Sequence, residues 1–183
     1  MKKIKYIAEL CQNHNGNEKN LNNMLERCAK SGADYIKLQY IFSKNLSFRS
    51  IFETGLKEKK RTLAIRRPYQ KEFDRLKKLE LKNKDYENFV LKCEKFNLKP
   101  MITCFTRDSI NTLFNMGYEN IKIASYDCSS FQMVREISKK FKNIIMSTGA
   151  TYLDEIYKSC ELLKKSKRNY SLLHCVTIYP TPI

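Results

Sequence analysis

Short apolar runs alternate with helical apolar faces along almost the whole chain, and that alternation restricts the fold more than any other feature. Residues 5–10 form a first apolar run, closed by Gln12-Asn13-His14-Asn15-Gly16. Leu21, Met24, Leu25, Cys28 and Ala29 then fall on one face at helical spacing. Ser31-Gly32 ends that helix, and residues 35–40 read as a strand. Residues 41–83 are irregular and basic, an insertion expected to hold a short helix near 72–79. Tyr86, Phe89, Val90 and Cys93 mark the next helical face, and Pro100 introduces a strand over 101–105. The remaining expectations are a helix over 108–115, a strand over 120–124, a helix over 130–141 and a strand over 143–147. A helical face of Leu153, Ile156, Tyr157, Cys160 and Leu163 and a strand over 170–176 follow. Roughly six β/α steps result. They imply parallel strands covered by helices, either a doubly wound sheet or a (β/α) barrel. No GxGxxG follows the first strand, which disfavours a dinucleotide fold.

Composition bounds the function classes. The chain has 183 residues, 42% hydrophobic and 30% charged, with eleven Tyr and ten Phe, enough for one globular domain. The basic start lacks a secretory apolar region, no window suits a membrane helix, and a cytoplasmic location is expected. The net charge is +16, and residues 57–84 alone carry twelve basic against four acidic residues. Such a patch attracts anions. No helix-turn-helix, zinc-finger spacing or aromatic RNA-binding signature accompanies it, so nucleic acid is not the expected partner. The seven cysteines form no CxxC pair and read as reduced thiols. Cys28, Cys93 and Cys160 fall on helix faces, whereas Cys11, Cys104, Cys128 and Cys175 fall at or just beyond strand ends, where they could line a pocket.

Polar residues interrupt strands that should be apolar on both faces. Glu9, Lys37, Gln39 and Lys122 sit among Ile, Leu and Ala, while Thr103, Ser125, Ser147 and His174 stand toward strand C-termini. Period-two spacing puts Lys37 and Gln39 on one face and Ile36 and Leu38 on the other. A buried unpaired ion costs several kcal/mol, so these side chains need partners or a water-lined cavity. One reading is a Lys–Glu pair inside a barrel. The other is a small anionic ligand, carrying phosphate or carboxylate, held at the strands' C-terminal edge. His14 and Asn13 could simply organise the first turn, and His174 could be a satisfied core histidine.

The motifs in order resemble the sialic acid synthase (N-acetylneuraminate synthase) family. They are Ile7-Ala8-Glu9-Leu10-Cys11-Gln12-Asn13-His14-Asn15-Gly16, Gly32 through Gln39, Thr103-Cys104-Phe105, Ile121-Lys122-Ile123-Ala124-Ser125, Met146 through Gly149, and Leu173-His174-Cys175 with Tyr179-Pro180-Thr181-Pro182. The resemblance implies a TIM (β/α)8-type barrel, here truncated after about six β/α units. Residues 1–183 would be the N-terminal portion, lacking the last two units and a C-terminal antifreeze-like domain. It implies condensation of phosphoenolpyruvate (PEP) with an N-acyl amino sugar such as N-acetylmannosamine, giving a nine-carbon ulosonic acid and phosphate for surface polysaccharide synthesis. By the same resemblance, Lys37, Thr103, Lys122, Ser125, Ser147, Thr177 and Tyr179 would bind PEP. Glu9, Gln39, Phe105 and Asp127 would contact the sugar, and Glu9, Asp127 and Lys122 would be catalytic. Thr177 stands where some members have Asn, and Asp127 where many have Glu. The family further implies a divalent metal, Mn²⁺ or Mg²⁺, with ligands outside this chain, and a homodimer. A non-catalytic or split PEP- or sugar-binding fragment and a basic nucleic-acid module are the alternatives.

Overall fold

The computed structural model describes residues 4–59 and 61–177, with the backbone alone for 61–63. A parallel six-stranded sheet forms its centre, with helices on one face. In chain order the elements are β1 (Ile7–Cys11), α1 (Glu18–Lys30), β2 (Tyr35–Tyr40), α2 (Ile51–Thr54), β3 (Leu56–Glu58), β4 (Arg61–Ala64), α3 (Tyr69–Leu79) and α4 (Asn83–Lys95). Next come β5 (Lys99–Cys104), α5 (Ser109–Asn115), β6 (Asn120–Ile123), α6 (Phe131–Lys140), β7 (Asn143–Ser147), α7 (Leu153–Lys165) and β8 (Asn169–Leu173). The sheet order is β1-β2-β5-β6-β7-β8, and β3 pairs with β4 in a separate antiparallel hairpin. Strands thus follow one another in chain order around a barrel wall. β1 and β8 are its edges among the described residues.

Strand periodicity divides the residues between two environments. Ile36, Leu38, Ile102, Cys104, Ile121, Ile123, Ile144 and Met146 are essentially fully buried and belong to one apolar cluster. The helical faces read from the sequence supply the opposing layer. Leu21 and Leu25 of α1, the whole quartet Tyr86, Phe89, Val90 and Cys93 of α4, and Val134 and Ile137 of α6 are all buried in it. Each such large side chain contributes about 1.5–3 kcal/mol on burial. This layer fixes which face of each strand looks inward. Leu172 and Leu173 of β8 remain about 40% exposed, since no helix follows that strand among the described residues.

The insertion holds more structure than its irregular sequence suggests. Besides α3, which starts three residues before the expected helix, it contains the one-turn α2 and the β3–β4 hairpin. The first loop docks against it at Gly16. With φ at +66° and a Cβ position only 2.5 Å from the Lys78 carbonyl oxygen, this position admits only glycine without displacement. His14 is buried beside it and accepts a hydrogen bond from the Gly16 N–H at 3.1 Å, the turn-organising role considered for it. His174, by contrast, is exposed. It lies just beyond the edge strand β8, and among the described residues no element covers it as a core histidine would be covered.

Candidate active site

Three neighbouring strands bring the lysines together. Gln39 of β2 pairs in register with Thr103 of β5, and Thr103 with Lys122 of β6. Lys37 lies two residues before Gln39 on the same face, opposite the helix-covered Ile36 and Leu38. Its ammonium rises to Thr103 Oγ1 at 3.0 Å. Lys37 is 5% exposed and forms an ion pair with Glu9, its register partner on β1. The β1–β2 register shifts just after Glu9, and the other Glu9 carboxylate oxygen accepts from the Cys11 N–H at 2.9 Å. This irregularity holds the carboxylate at the strand end, a use to which bulges are often put beside sites.

Lys122 differs from Lys37. It is half-buried, yet forms no ion pair or side-chain hydrogen bond among the described residues. Burial pushes its ammonium below the ordinary lysine value, and the Lys37 charge pushes it further; Cys175 and Glu9 act the other way with smaller effect. A half-buried, uncompensated cation beside a second cation is an electrostatic demand for an anion. The sequence reading of a Lys–Glu pair therefore holds for Lys37 only.

Hydroxyl groups gather on the next two strand ends. Ser125 Oγ accepts from the Gly149 N–H at 3.1 Å, and Ser147, at the end of β7, is buried. A Cβ on Gly149 would lie 3.0 Å from the Cys175 Cβ and 3.1 Å from both Ser125 Oγ and Thr177 Cγ2. The Ser147-Thr148-Gly149 turn, Ser125, Cys175 and Thr177 are thus packed in one corner. Hydrogen bonding from Ser147 chiefly, then from Ser125 and the Thr148 backbone, with the Lys122 charge, holds the Cys175 thiol below its ordinary value against a smaller burial effect. The sequence placed Cys175 only near a pocket; its contacts come from the Gly149 turn.

Asp127 follows β6 in a short 3₁₀ turn, Ser125–Asp127, and is 5% exposed. Burial raises its carboxyl to about 6, with a Ser130 hydrogen bond offsetting part of the effect, and its Oδ2 finds no partner. A buried carboxyl with a free oxygen near the strand ends can hold or move a proton near neutral pH. Gln39 and Phe105 are half-buried, Thr177 is exposed, and Tyr179 lies outside the described residues. Among the described residues no group of three or more His, Cys, Asp or Glu side chains is placed to hold a metal ion.

A cavity of about 470 Å³ adjoins this centre but excludes both lysines. Ile41 and Phe42 beyond β2, Phe105 and Thr106 beyond β5, and Tyr126 beyond β6 form its barrel side. The insertion forms the opposite wall. Arg49 bridges the two, donating to the Tyr126 hydroxyl at 2.6 Å. No sequence signal marked Arg49, because the contact spans 77 positions.

Parallel strands delivering cations, hydroxyls and a carboxyl to one C-terminal edge define an α/β site of the (β/α)8 barrel type. The chain belongs to the NeuB family, whose profile matches residues 24–183. It is 33% identical over 185 residues to the N,N'-diacetyllegionaminic acid synthase of Campylobacter jejuni subsp. jejuni serotype O:2, covering 100% of this chain and 54% of that one. The pseudaminic acid synthase of C. jejuni serotype O:23/36 is 28% identical, over 100% of this chain and 52% of that one. The crystal structure of N-acetylneuraminic acid synthetase from Leptospira borgpetersenii serovar Hardjo-bovis, in complex with citrate, superposes with a TM-score of 0.82. Its identity is 24%, over 99% of this chain and 57% of that one. The chain spans about half the length of the curated relatives it matches. Its relatives are sugar-acid synthases, and among its described residues no helix is long and apolar enough to cross a membrane.

Proposed function

We propose that this chain forms the PEP-binding part of a synthase that condenses PEP with an N-acyl amino sugar to give a nine-carbon ulosonic acid and phosphate. The carrying observation is Lys122, half-buried and, among the described residues, without a carboxylate partner, facing the Lys37 charge at the strands' C-terminal edge. PEP is small and carries a phosphate and a carboxylate. Lys122 and Lys37 receive those groups, and Thr103, Ser125 and Ser147 supply hydrogen bonds around them. Thr177 stands at the Gly149 corner beside them, and Tyr179 completes the proposed set.

In the proposed reaction PEP C3 forms a C–C bond to the sugar aldehyde carbon, and the aldehyde oxygen takes up a proton. Water then adds at C2, its proton is lost, and the C2–O bond to phosphate breaks, releasing inorganic phosphate. In this reading Asp127, which burial raises to about 6, gives the proton to the aldehyde oxygen. Glu9, Gln39 and Phe105 contact the sugar; Glu9 also orients Lys37. A divalent metal would polarise the aldehyde, but the described residues offer it no donor set, and no step here depends on it. The test is phosphate release from PEP with N-acetylmannosamine and Mn²⁺. Release that needs both substrates and is lost in Lys122→Met supports the reading. Release independent of the sugar, or unaffected by that substitution, overturns it.

A further inference from the structure

Cys11, the last residue of β1, has a φ of +51°, in the left-handed region that a residue with a side chain ordinarily avoids. Of the non-glycine residues with positive φ among those described, it alone lies in a strand. Pairing with β2 passes from Glu9–Lys37 directly to Cys11–Leu38, so Leu10 is the surplus residue of a bulge. Leu10 itself is buried in the apolar cluster. Strain of this kind persists only where the surroundings impose it.

The first loop supplies that constraint. The Asn13 N–H donates to the Leu10 carbonyl at 3.0 Å, closing the chain on itself just after Cys11. Arg75 of α3 donates to Gln12 Oε1 at 3.4 Å, and the buried His14 and the close-packed Gly16 fix the rest of the loop against the insertion. These contacts are made by the backbone and by residues 12–16, not by the Cys11 thiol.

The consequence falls on Glu9. The turned Cys11 N–H donates to Glu9 Oε1 at 2.9 Å, while Oε2 faces the Lys37 ammonium as its ion-pair partner. With both oxygens engaged, the carboxylate stays on Lys37, and Lys122 has no carboxylate partner among the described residues. A Glu9 released by Cys11 is not so confined. Its side chain is 45% exposed, and the Lys122 charge attracts it. A carboxylate drawn toward Lys122 repels an incoming phosphate or carboxylate.

We propose that Cys11 is a positioning residue for the anion centre: its left-handed backbone, not its thiol, confines Glu9 to Lys37 and leaves Lys122 open to the substrate anion. The inference rests on the PEP reading and deepens it. The test is a set of substitutions at Cys11, with PEP affinity read by calorimetry and folding by urea unfolding. Glycine adopts the left-handed conformation freely, whereas valine and threonine, branched at Cβ, oppose it. Cys11→Gly is expected to keep PEP affinity within twofold of the native chain, and Cys11→Val and Cys11→Thr to weaken it at least tenfold. In a Glu9→Ala background, with no carboxylate to hold, Cys11→Val should change PEP affinity less than twofold. Threonine, polar at a half-buried position, decides the matter if valine perturbs folding. A tenfold loss in Cys11→Gly would move the role to the thiol and overturn the proposal. Native affinity in the branched variants, or an equal loss with and without Glu9, overturns it too. If the native chain binds no PEP, the urea midpoints decide: non-additive effects of Cys11→Val and Glu9→Ala would uphold the hold on Glu9 and remove the PEP reading instead, and additive effects would remove both.

Discussion

The Lys37 ammonium donates to Thr103 Oγ1 at 3.0 Å, and Thr103 stands in register beside Lys122. One hydroxyl thus separates two cations of different status. Lys37 has Glu9 as counterion, whereas Lys122 has none among the described residues.

The first prediction concerns stability. Burial and the Lys37 charge hold the Lys122 ammonium below its ordinary value of 10.5. The folded state therefore binds fewer protons than the unfolded chain between that lowered value and 10.5, and stability contributed by this group rises with pH across that window. At pH 7 the charged form is a burden. Lys122→Met is expected to leave the urea midpoint at pH 7 equal or higher, while a structural lysine would give a fall.

Asp127 gives a second pH signature. Its carboxyl moves from 3.8 to about 6 on folding, so the folded state holds the proton more tightly and stability is lost as pH rises through that interval. Asp127→Asn should stabilise the chain by about 2 kcal/mol at pH 7.5 and by nothing measurable at pH 3.5. Urea unfolding at the two pH values measures the difference. An equal effect at both would show that burial of the charge is not the cause.

Cysteine reactivity reports on the same corner. Burial pushes Cys93 and Cys104 up to about 12, and raises Cys28, Cys128 and Cys160. Cys175 alone among these six is lowered, through Ser147, Ser125 and Lys122. Iodoacetamide at pH 7 should therefore modify Cys175 at least tenfold faster than those five thiols, with saturating PEP slowing it. Peptide mass mapping over a time course provides the comparison.

Gly16 tests the docking of the insertion. An alanine there meets the Lys78 carbonyl at 2.5 Å in a left-handed backbone conformation. Gly16→Ala should cost about 2–4 kcal/mol in chemical unfolding. A loss below about 0.5 kcal/mol would mean that the first loop is not held against α3.

Much of this architecture was legible in the sequence because each β/α unit carries its own periodicity. The limits of β2 and β7 follow from the apolar alternation, and all four residues of the α4 face are buried as their spacing requires. The hairpin was not legible. Leu56, Lys57 and Glu58 are all exposed, so β3 has no apolar alternation to read. For the site, intrusive Lys37, Gln39 and Lys122 gave both the face and the strand edge. Sequence spacing could not apportion Glu9 between lysines, since that depends on the bend of β1 after Glu9. The cavity was invisible for a similar reason: its walls meet only when residues 46–76 fold back onto the ends of β5 and β6.

Direct titration of PEP into this chain and its Lys122→Met variant, followed by calorimetry, bears most closely on the anion site. One-to-one binding to the native chain, weakened at least a hundredfold by the substitution at constant folded content, is the predicted result. Equal PEP affinity in the two proteins would contradict it.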